Sequence, residues 1–415
     1  MVSRPMKRPI AIDLFSGAGG LSLGLEQAGF DVVAAVEYDP VHAATHEFNF
    51  PECATICASV TELDGDTIRE RSGIGSETID LVAGGPPCQG FSLIGKRDLQ
   101  DTRNDLVMDF QRLVVELRAR SFLMENVPGM ALGSQEDVLR EVTDRFIRDG
   151  YQCLPYFLVT ATSFGVPQRR KRLFLIGTRI GEELPDPNFE VTTTRSTVWD
   201  AIGDLPMIEE YPELLTRDWV KADFYDPSEY AAVLRRETTD VADFSHRRRV
   251  SSEILTASMR TVHSPKSVQR FDATRPGEIE PVSRYLRLDP SGFSNTLRAG
   301  TDGKHGAYTS PRPIHPFIPR VITVREGARL HSFPDWFRFH ETKWHGFRQV
   351  GNAVAPRVGR AVASKLLGSL GYSPLRPTRM IKLGDPNLLS LSPREAAKYF
   401  GARPTVEATD QRLTA

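Results

Sequence analysis

A short apolar run that empties into a glycine cluster limits this chain to few folds. Residues 10–15 read Ile-Ala-Ile-Asp-Leu-Phe, then come Ser16, Gly17, Ala18, Gly19 and Gly20, and residues 21–28 have helical spacing that stops at Gly29. A buried strand, a turn poor in side chains and a helix N-terminus form a crevice where a ligand reaches backbone N–H groups. The rhythm continues. Residues 31–37 read as a second strand ending in Glu37, and Pro40 opens a helix from a favoured first-turn position. Strands follow at 78–83, 121–125 and 172–178, with helices at 106–117 and 138–147 between them. Repeated βα units predict a parallel sheet with helices on both faces.

The third strand runs into Gly84-Gly85-Pro86-Pro87-Cys88-Gln89-Gly90-Phe91-Ser92. Two prolines fix φ, and the flanking glycines admit a close neighbour. Cys88 is thus either a thiol presented at a stiff strand end, as covalent catalysis needs, or a buried core cysteine beside a proline turn. The fourth strand ends in Glu125-Asn126-Val127-Pro128-Gly129, which sets a carboxylate at the same sheet edge. Gln168-Arg169-Arg170-Lys171-Arg172 precedes the fifth, and strand alternation predicts Arg170 and Arg172 on one face. That face is either a pair of guanidinium groups for an oxygen ligand or a solvated basic edge. The glycine spacing is not that of a dinucleotide site, which disfavours a nicotinamide oxidoreductase. With Glu37 at ribose distance in sequence, it suits an adenosyl ligand without a pyrophosphate.

After Gly181 five prolines between 185 and 227 break the chain, and the βαβ rhythm is absent from about 186 to 319. The partition predicted from this texture is a βα domain over 1–185, a separate irregular or β-rich part over 186–319, a return to regular texture over 320–372, and a peripheral tail over 373–415. Thr323 and Glu326 form a capping-box pattern, residues 354–370 read as an amphipathic helix, and residues 392–399 as one short helix with Pro393 in its first turn. A net charge of −1 excludes a protein held to nucleic acid by overall charge, though not a local basic cleft. No apolar run is long enough to span a bilayer, and the start lacks a signal core. Four cysteines in 415 residues do not make a disulfide scaffold and suit a reducing cytosol. Cys53 and Cys57 have metal-pair spacing without a second pair, so no metal site is expected.

Taken in order, these motifs resemble those of the DNA cytosine-5 methyltransferases of prokaryotic restriction–modification type, over residues 10–178 and about 290–370. The resemblance implies an α/β fold: a Rossmann-like S-adenosylmethionine-dependent methyltransferase sheet, plus a smaller irregular or β-rich target recognition domain. It implies methyl transfer from S-adenosylmethionine to C5 of a flipped-out cytosine in a specific double-stranded DNA sequence, through a covalent adduct between Cys88 and C6. The implied setting is a restriction–modification or related phage-defence system in a bacterial cytoplasm, with the enzyme associated with the nucleoid through its DNA. Cys88 would be the nucleophile, with Glu125 on the base edge, Arg172 at the cytosine O2, and Arg170 and Gln168 buttressing that wall. Phe15, Gly17, Gly19, Glu37, Tyr38, Val60, Pro87, Leu106 and Asn352 would hold the cofactor. Ser92 and Arg103 would meet DNA phosphates from a closing loop, Gln168 would lie at the DNA face, and Arg247 and Arg248 would contact DNA from the recognition domain. Ser59 stands where the family usually has an acidic residue for the adenine amino group. Double-stranded DNA is the implied partner, with room for cognate restriction or defence proteins, and a monomer is expected. An RNA methyltransferase, with little need for the 186–290 segment, and an idle DNA-binding protein are the remaining alternatives.

Overall fold

The computed structural model describes residues 7–87, 104–189, 192, 194–300 and 312–403. The first half alternates β1 (Ile10–Leu14), α1 (Gly20–Ala28), β2 (Asp31–Glu37), α2 (Pro40–Asn49), β3 (Ala54–Cys57), α3 (Gly65–Ser72), β4 (Leu81–Gly84), α4 (Asn104–Glu116), β5 (Ser121–Asn126) and α5 (Ser134–Arg148). Three further strands, β6 (Tyr151–Cys153), β7 (Phe157–Thr160) and β8 (Lys171–Arg179), complete the sheet. Its order is β3-β2-β1-β4-β5-β8-β6, with β7 paired to the other end of β8. The five strands from β3 to β5 are parallel, and β8 runs antiparallel to β5. The expected all-parallel sheet therefore holds only for its first five strands. The short excursions through β6 and β7 return the chain as hairpin-like edges, which need no crossover helix.

The strand order reverses beside β1, so the ends of β1 and β4 flank the switch point of the sheet, where open α/β folds bind ligands. Each strand in this region is buried on both sides. One face packs Phe110, Val114, Phe122, Val142 and Phe146 from α4, β5 and α5. On the other face, Leu21 and Leu25 of α1 meet Val358, Val362 and Leu366. The approach there is close: a Cβ on Gly24 would stand 2.9 Å from the Cα of Gly359.

The second half contains α6 (Val198–Ile202), β9 (Val220–Lys221), α7 (Glu229–Arg235), β10 (Arg247–Arg249), β11 (Ile254–Leu255), α8 (Pro265–Ala273), α9 (Val324–Leu330), α10 (Lys343–Asn352), α11 (Pro356–Ser369), β12 (Met380–Lys382) and α12 (Pro393–Phe400). The Thr323–Glu326 capping box opens α9, and a Ser392–Glu395 box opens α12 with Pro393 in its first turn. The boundary expected at 319/320 is not a packing boundary. One buried cluster joins Val198, Leu214, Leu234, Leu255 and Leu297 to Ala328, Phe333, Phe337, Phe347 and Val350. Buried Arg329 ties the two parts, donating to Asp204 at 2.7 Å and to Asp335 at 2.6 Å. The same cluster takes in Leu23 of α1, Ala35 of β2 and Phe50, so these segments pack on the sheet domain before α11 covers its face. Nor is the segment after 373 simply peripheral: β12 pairs with β10, and Leu388 and Leu389 pack on Ala44 and Phe48 of α2. Among the described residues no helix is long and apolar enough to cross a membrane.

Candidate active site

Two turns face each other across the switch point. After β1, Phe15, Gly17 and Gly19 all take positive φ, at 61°, 57° and 102°. Gly19 caps α1, and a Cβ there would lie 2.4 Å from the Phe50 ring. At Gly17 a Cβ would meet nothing within 4 Å, so the turn opens to solvent. Glu37 at the end of β2 holds this turn: its carboxylate accepts from Gly17 N and from Asp39 N, both at 2.7 Å. Each oxygen keeps a second lone pair for a ligand hydroxyl. Burial raises the Glu37 pKa above the ordinary carboxylate value, against the opposing pull of His42. The Tyr38 ring beside it is 58% exposed. Val60 is buried one residue beyond Ser59, whose Oγ accepts from Thr61 N at 3.3 Å. Leu106 and Pro87 are half-buried, and Asn352 is exposed at the end of α10.

The second turn follows β4. A Cβ on Gly84 would sit 2.5 Å from the Leu14 carbonyl, and one on Gly85 would sit 2.9 Å from Oε2 of Glu125. Asn126 donates from Nδ2 to the Pro86 carbonyl at 3.0 Å and pins the proline pair. The chain that leads into Cys88 thus passes directly over Glu125. That carboxylate is nearly buried, and its Oε1 lies 2.7 Å from Nε of Arg172 on β8. Burial pushes the Glu125 pKa up, partly offset by the charges of Arg172 and Arg170. Cys88, Ser92 and Arg103 lie outside the described residues.

Several expected roles change. Arg170 immediately precedes β8, and its charge, like that of Arg172, acts on Glu125. The Arg170 guanidinium turns inward and donates to the carbonyls of Leu297 (3.0 Å), Gly351 (2.8 Å) and Ala353 (2.8 Å). These three bonds commit it to the backbone of neighbouring segments. Gln168, placed at the DNA face by sequence, is fully buried: it accepts from Leu297 N at 3.2 Å and donates to the Leu330 carbonyl at 3.2 Å. Arg248 is not a DNA contact either. It is buried, and its two terminal nitrogens each lie 2.8 Å from the Glu26 carboxylate. An arginine that donates to a buried carboxylate through both arms has no reach to a phosphate. Arg247, its neighbour on β10, is exposed. Cys53 and Cys57 are buried free thiols, and no cluster of metal-ligating side chains occurs among the described residues. Sequence reasoning missed His331, which bonds to both Gln168 and Ala353.

Residues 10–368 match the family of C-5 cytosine-specific DNA methylases. The chain is 54% identical over 408 residues to the Type II methyltransferase M.XorII of Xanthomonas oryzae pv. oryzae, covering 98% of this chain and 96% of the relative. It is 32% identical to the Type II methyltransferase M.AgeI of Thalassovita gelatinovora, covering 86% of this chain and 98% of that one. Among solved structures, an E. coli prophage-encoded protein described as a DNA modification methyltransferase superposes with a TM-score of 0.74 at 35% identity, covering 88% of this chain and all of the other. The S. pombe Dnmt2 methyltransferase, at 18% identity and a TM-score of 0.53, shares the fold.

Proposed function

The chain belongs to the C-5 cytosine-specific DNA methylase family, as a DNA cytosine-5 methyltransferase of restriction–modification type, and on that premise we propose how its residues carry the reaction. Cys88 adds through its thiolate to C6 of a cytosine turned out of duplex DNA. The observation that carries this reading is the passage of Gly85 over Glu125, which sets the approach to Cys88 against a buried carboxyl paired with Arg172.

The roles follow from the chemistry. C5 of cytosine is a poor nucleophile until a thiolate has added at C6 and made an enamine. Glu125, its proton retained by burial, donates to or hydrogen-bonds N3 and favours that addition. Arg172 stabilises negative charge that develops at O2. C5 then takes the methyl group, loses its proton to a base, and the C6–S bond breaks to release the thiolate. The target is stacked inside a duplex, so extrusion costs a few kcal/mol, which binding contacts must offset.

The glycine turn fits an adenosyl ligand: it is open at Gly17, flanked by the Glu37 carboxylate and by the exposed Tyr38 ring. S-adenosylmethionine supplies an electrophilic methyl on a sulfonium when bound there. Gly17, Glu37, Tyr38 and Val60 orient it on one side, and Pro87, Leu106 and Asn352 close the other. Phosphate contacts fall to Ser92, Arg103 and Arg247, and the enzyme acts as a bacterial cytoplasmic monomer on DNA.

Incubation with tritiated S-adenosylmethionine and either duplex DNA or RNA tests the reading. Label should enter DNA, and Cys88→Ala should abolish it. A 5-fluorocytosine duplex should leave a covalent adduct on Cys88 by mass spectrometry. Label in RNA alone, or DNA labelling that survives Cys88→Ala, overturns the reading.

A further inference from the structure

The wall that carries Arg172 and the loop that follows Asn352 at the end of α10 meet at one carbonyl. Ala353 O accepts from Nη2 of Arg170 at 2.8 Å and from Nε2 of His331 at 3.0 Å, which fills both of its lone pairs. The other ring nitrogen of His331, Nδ1, lies 2.9 Å from Nε2 of Gln168. The Gln168 amide has one orientation, because its oxygen faces Leu297 N and its nitrogen faces Leu330 O. Nδ1 must therefore accept, and the ring proton must sit on Nε2, where it donates to Ala353. His331 is thus a neutral, fully buried connector with one accepting and one donating edge. Burial, with Arg170 beside it, holds its pKa well below the imidazole range.

The same loop touches the cofactor turn. A Cβ on Gly20, the first residue of α1, would stand 2.7 Å from Cβ of Ala353 and 2.6 Å from the Val354 carbonyl. The backbone beyond His331 is also committed: Ser332 has φ 65°, and its hydroxyl accepts from Arg357 N in the first turn of α11 at 3.2 Å. A side chain at Gly351 would collide with Ala299 N at 2.4 Å. The segment 351–354 is therefore gripped from the base wall by Arg170 and His331, and from the glycine turn by Gly20.

We infer that His331 is a positioning residue that ties the base-facing wall to the cofactor edge, so that filling either site raises affinity for the other. This rests on the function proposed above. A movement of the wall on base binding reaches residues 351–354 through Gln168 and His331, and occupancy of the glycine turn reaches the same residues through Gly20. Such coupling is reciprocal, and tenfold is an ordinary size for it.

The test is calorimetric binding of S-adenosylhomocysteine to the full chain, alone and with a duplex already shown to accept tritium from labelled cofactor. The unaltered protein should bind S-adenosylhomocysteine at least about fivefold more tightly with the duplex present. In His331→Asn the side-chain oxygen takes the Nδ1 position and keeps Gln168, but no donor reaches Ala353. The ratio of the two affinities should then fall to within about twofold of one. Gln168→Met cuts the other end and should give the same loss, with no further loss in the double variant. A purely structural role would weaken binding or lower Tm and leave the ratio alone. Coupling that survives both variants, or its absence from the unaltered protein, overturns the inference. A chain that binds no S-adenosylhomocysteine and labels no duplex refutes instead the function on which it rests.

Discussion

Oε1 of Glu125 and Nε of Arg172 stand 2.7 Å apart, at the ends of neighbouring antiparallel strands. Arg172 offsets only part of the burial that keeps the Glu125 proton, and the proposed mechanism directs the remaining hydrogen-bonding capacity of both groups at the base. Glu125→Gln preserves shape and removes the ionisable proton. We expect kcat for DNA methylation to fall by about 10²- to 10⁴-fold, with KM for DNA changed far less. Burial raises the Glu125 pKa, so its neutral form persists above the usual carboxylate range. The rate of the unaltered enzyme should carry a descending component as pH rises through that raised value, and the Gln variant should lack it. Steady-state kinetics from pH 5 to 9 decides this; a variant with unchanged kcat removes Glu125 from the chemistry.

Gly85 is held to glycine by Glu125. A methyl group at residue 85 would stand 2.9 Å from Oε2, so either the carboxylate or the turn must shift. A displacement near 1 Å costs about 100-fold when it falls between reacting groups. Gly85→Ala should therefore lose about 10- to 100-fold in kcat, with its Tm within a few degrees of the parent. The contrast with Gly73→Ala, where a Cβ meets nothing but φ is +69°, separates the two effects: that change should lower Tm slightly and leave kcat alone.

The sheet and its two turns were legible because their determinants are local. Glycine at 17, 19 and 29, proline at 40 and the run from 31 to 37 each act within a few residues, and α1, β2 and α2 form where those signals stand. What failed depended on distant partners. The inward role of Arg170 was not legible because its acceptors, the carbonyls of Leu297, Gly351 and Ala353, lie 127 or more residues away. Arg248 looked like a DNA contact because Glu26, its partner, lies 222 positions away. His331 gave no signal at all, since Gln168 is 163 residues distant and the bond to Ala353 is to backbone. The expected break at 319/320 followed a change in texture, whereas the core forms by packing of α9 and residues 333–350 onto earlier segments.

The two neighbours on β10 make opposite predictions. Burial alone would raise the Glu26 pKa, but the Arg248 charge and hydrogen bonds hold it below the ordinary value. Arg248→Met leaves that carboxylate buried and unpaired and should cost about 3–5 kcal/mol in urea unfolding at pH 7. The loss should shrink towards acid, because Glu26 in the variant can take up a proton. Arg247→Ala removes an exposed cation. It should leave stability unchanged, weaken DNA binding, and reduce the log–log salt slope by about 0.9. An unchanged slope takes Arg247 out of the DNA interface.

Beneath the glycine turn, Asp13 and His46 share one hydroxyl and carry opposing pH dependences. Ser22 Oγ donates to Asp13 at 2.5 Å and lies 2.9 Å from His46 Nε2, which must then donate to it. Burial raises the Asp13 pKa from 3.8 to about 7, against the hydrogen bonds from Ser22. Burial lowers that of His46 from 6.5 to about 3. The folded state thus binds the Asp13 proton more tightly than the unfolded chain does, and this contribution is lost as pH rises from 3.8 to about 7. His46 acts in reverse: its stabilisation is full above 6.5 and disappears as pH falls towards 3. The two largely cancel in the unaltered protein. Asp13→Asn removes one side only. Its stability relative to the parent should therefore climb with pH, by most of about 4 kcal/mol between pH 4 and 8. Urea titrations of both proteins across that range measure it directly. A difference that stays flat, or that falls as pH rises, shows that Asp13 is ionised in the folded state throughout and that the glycine turn rests on a buried charge.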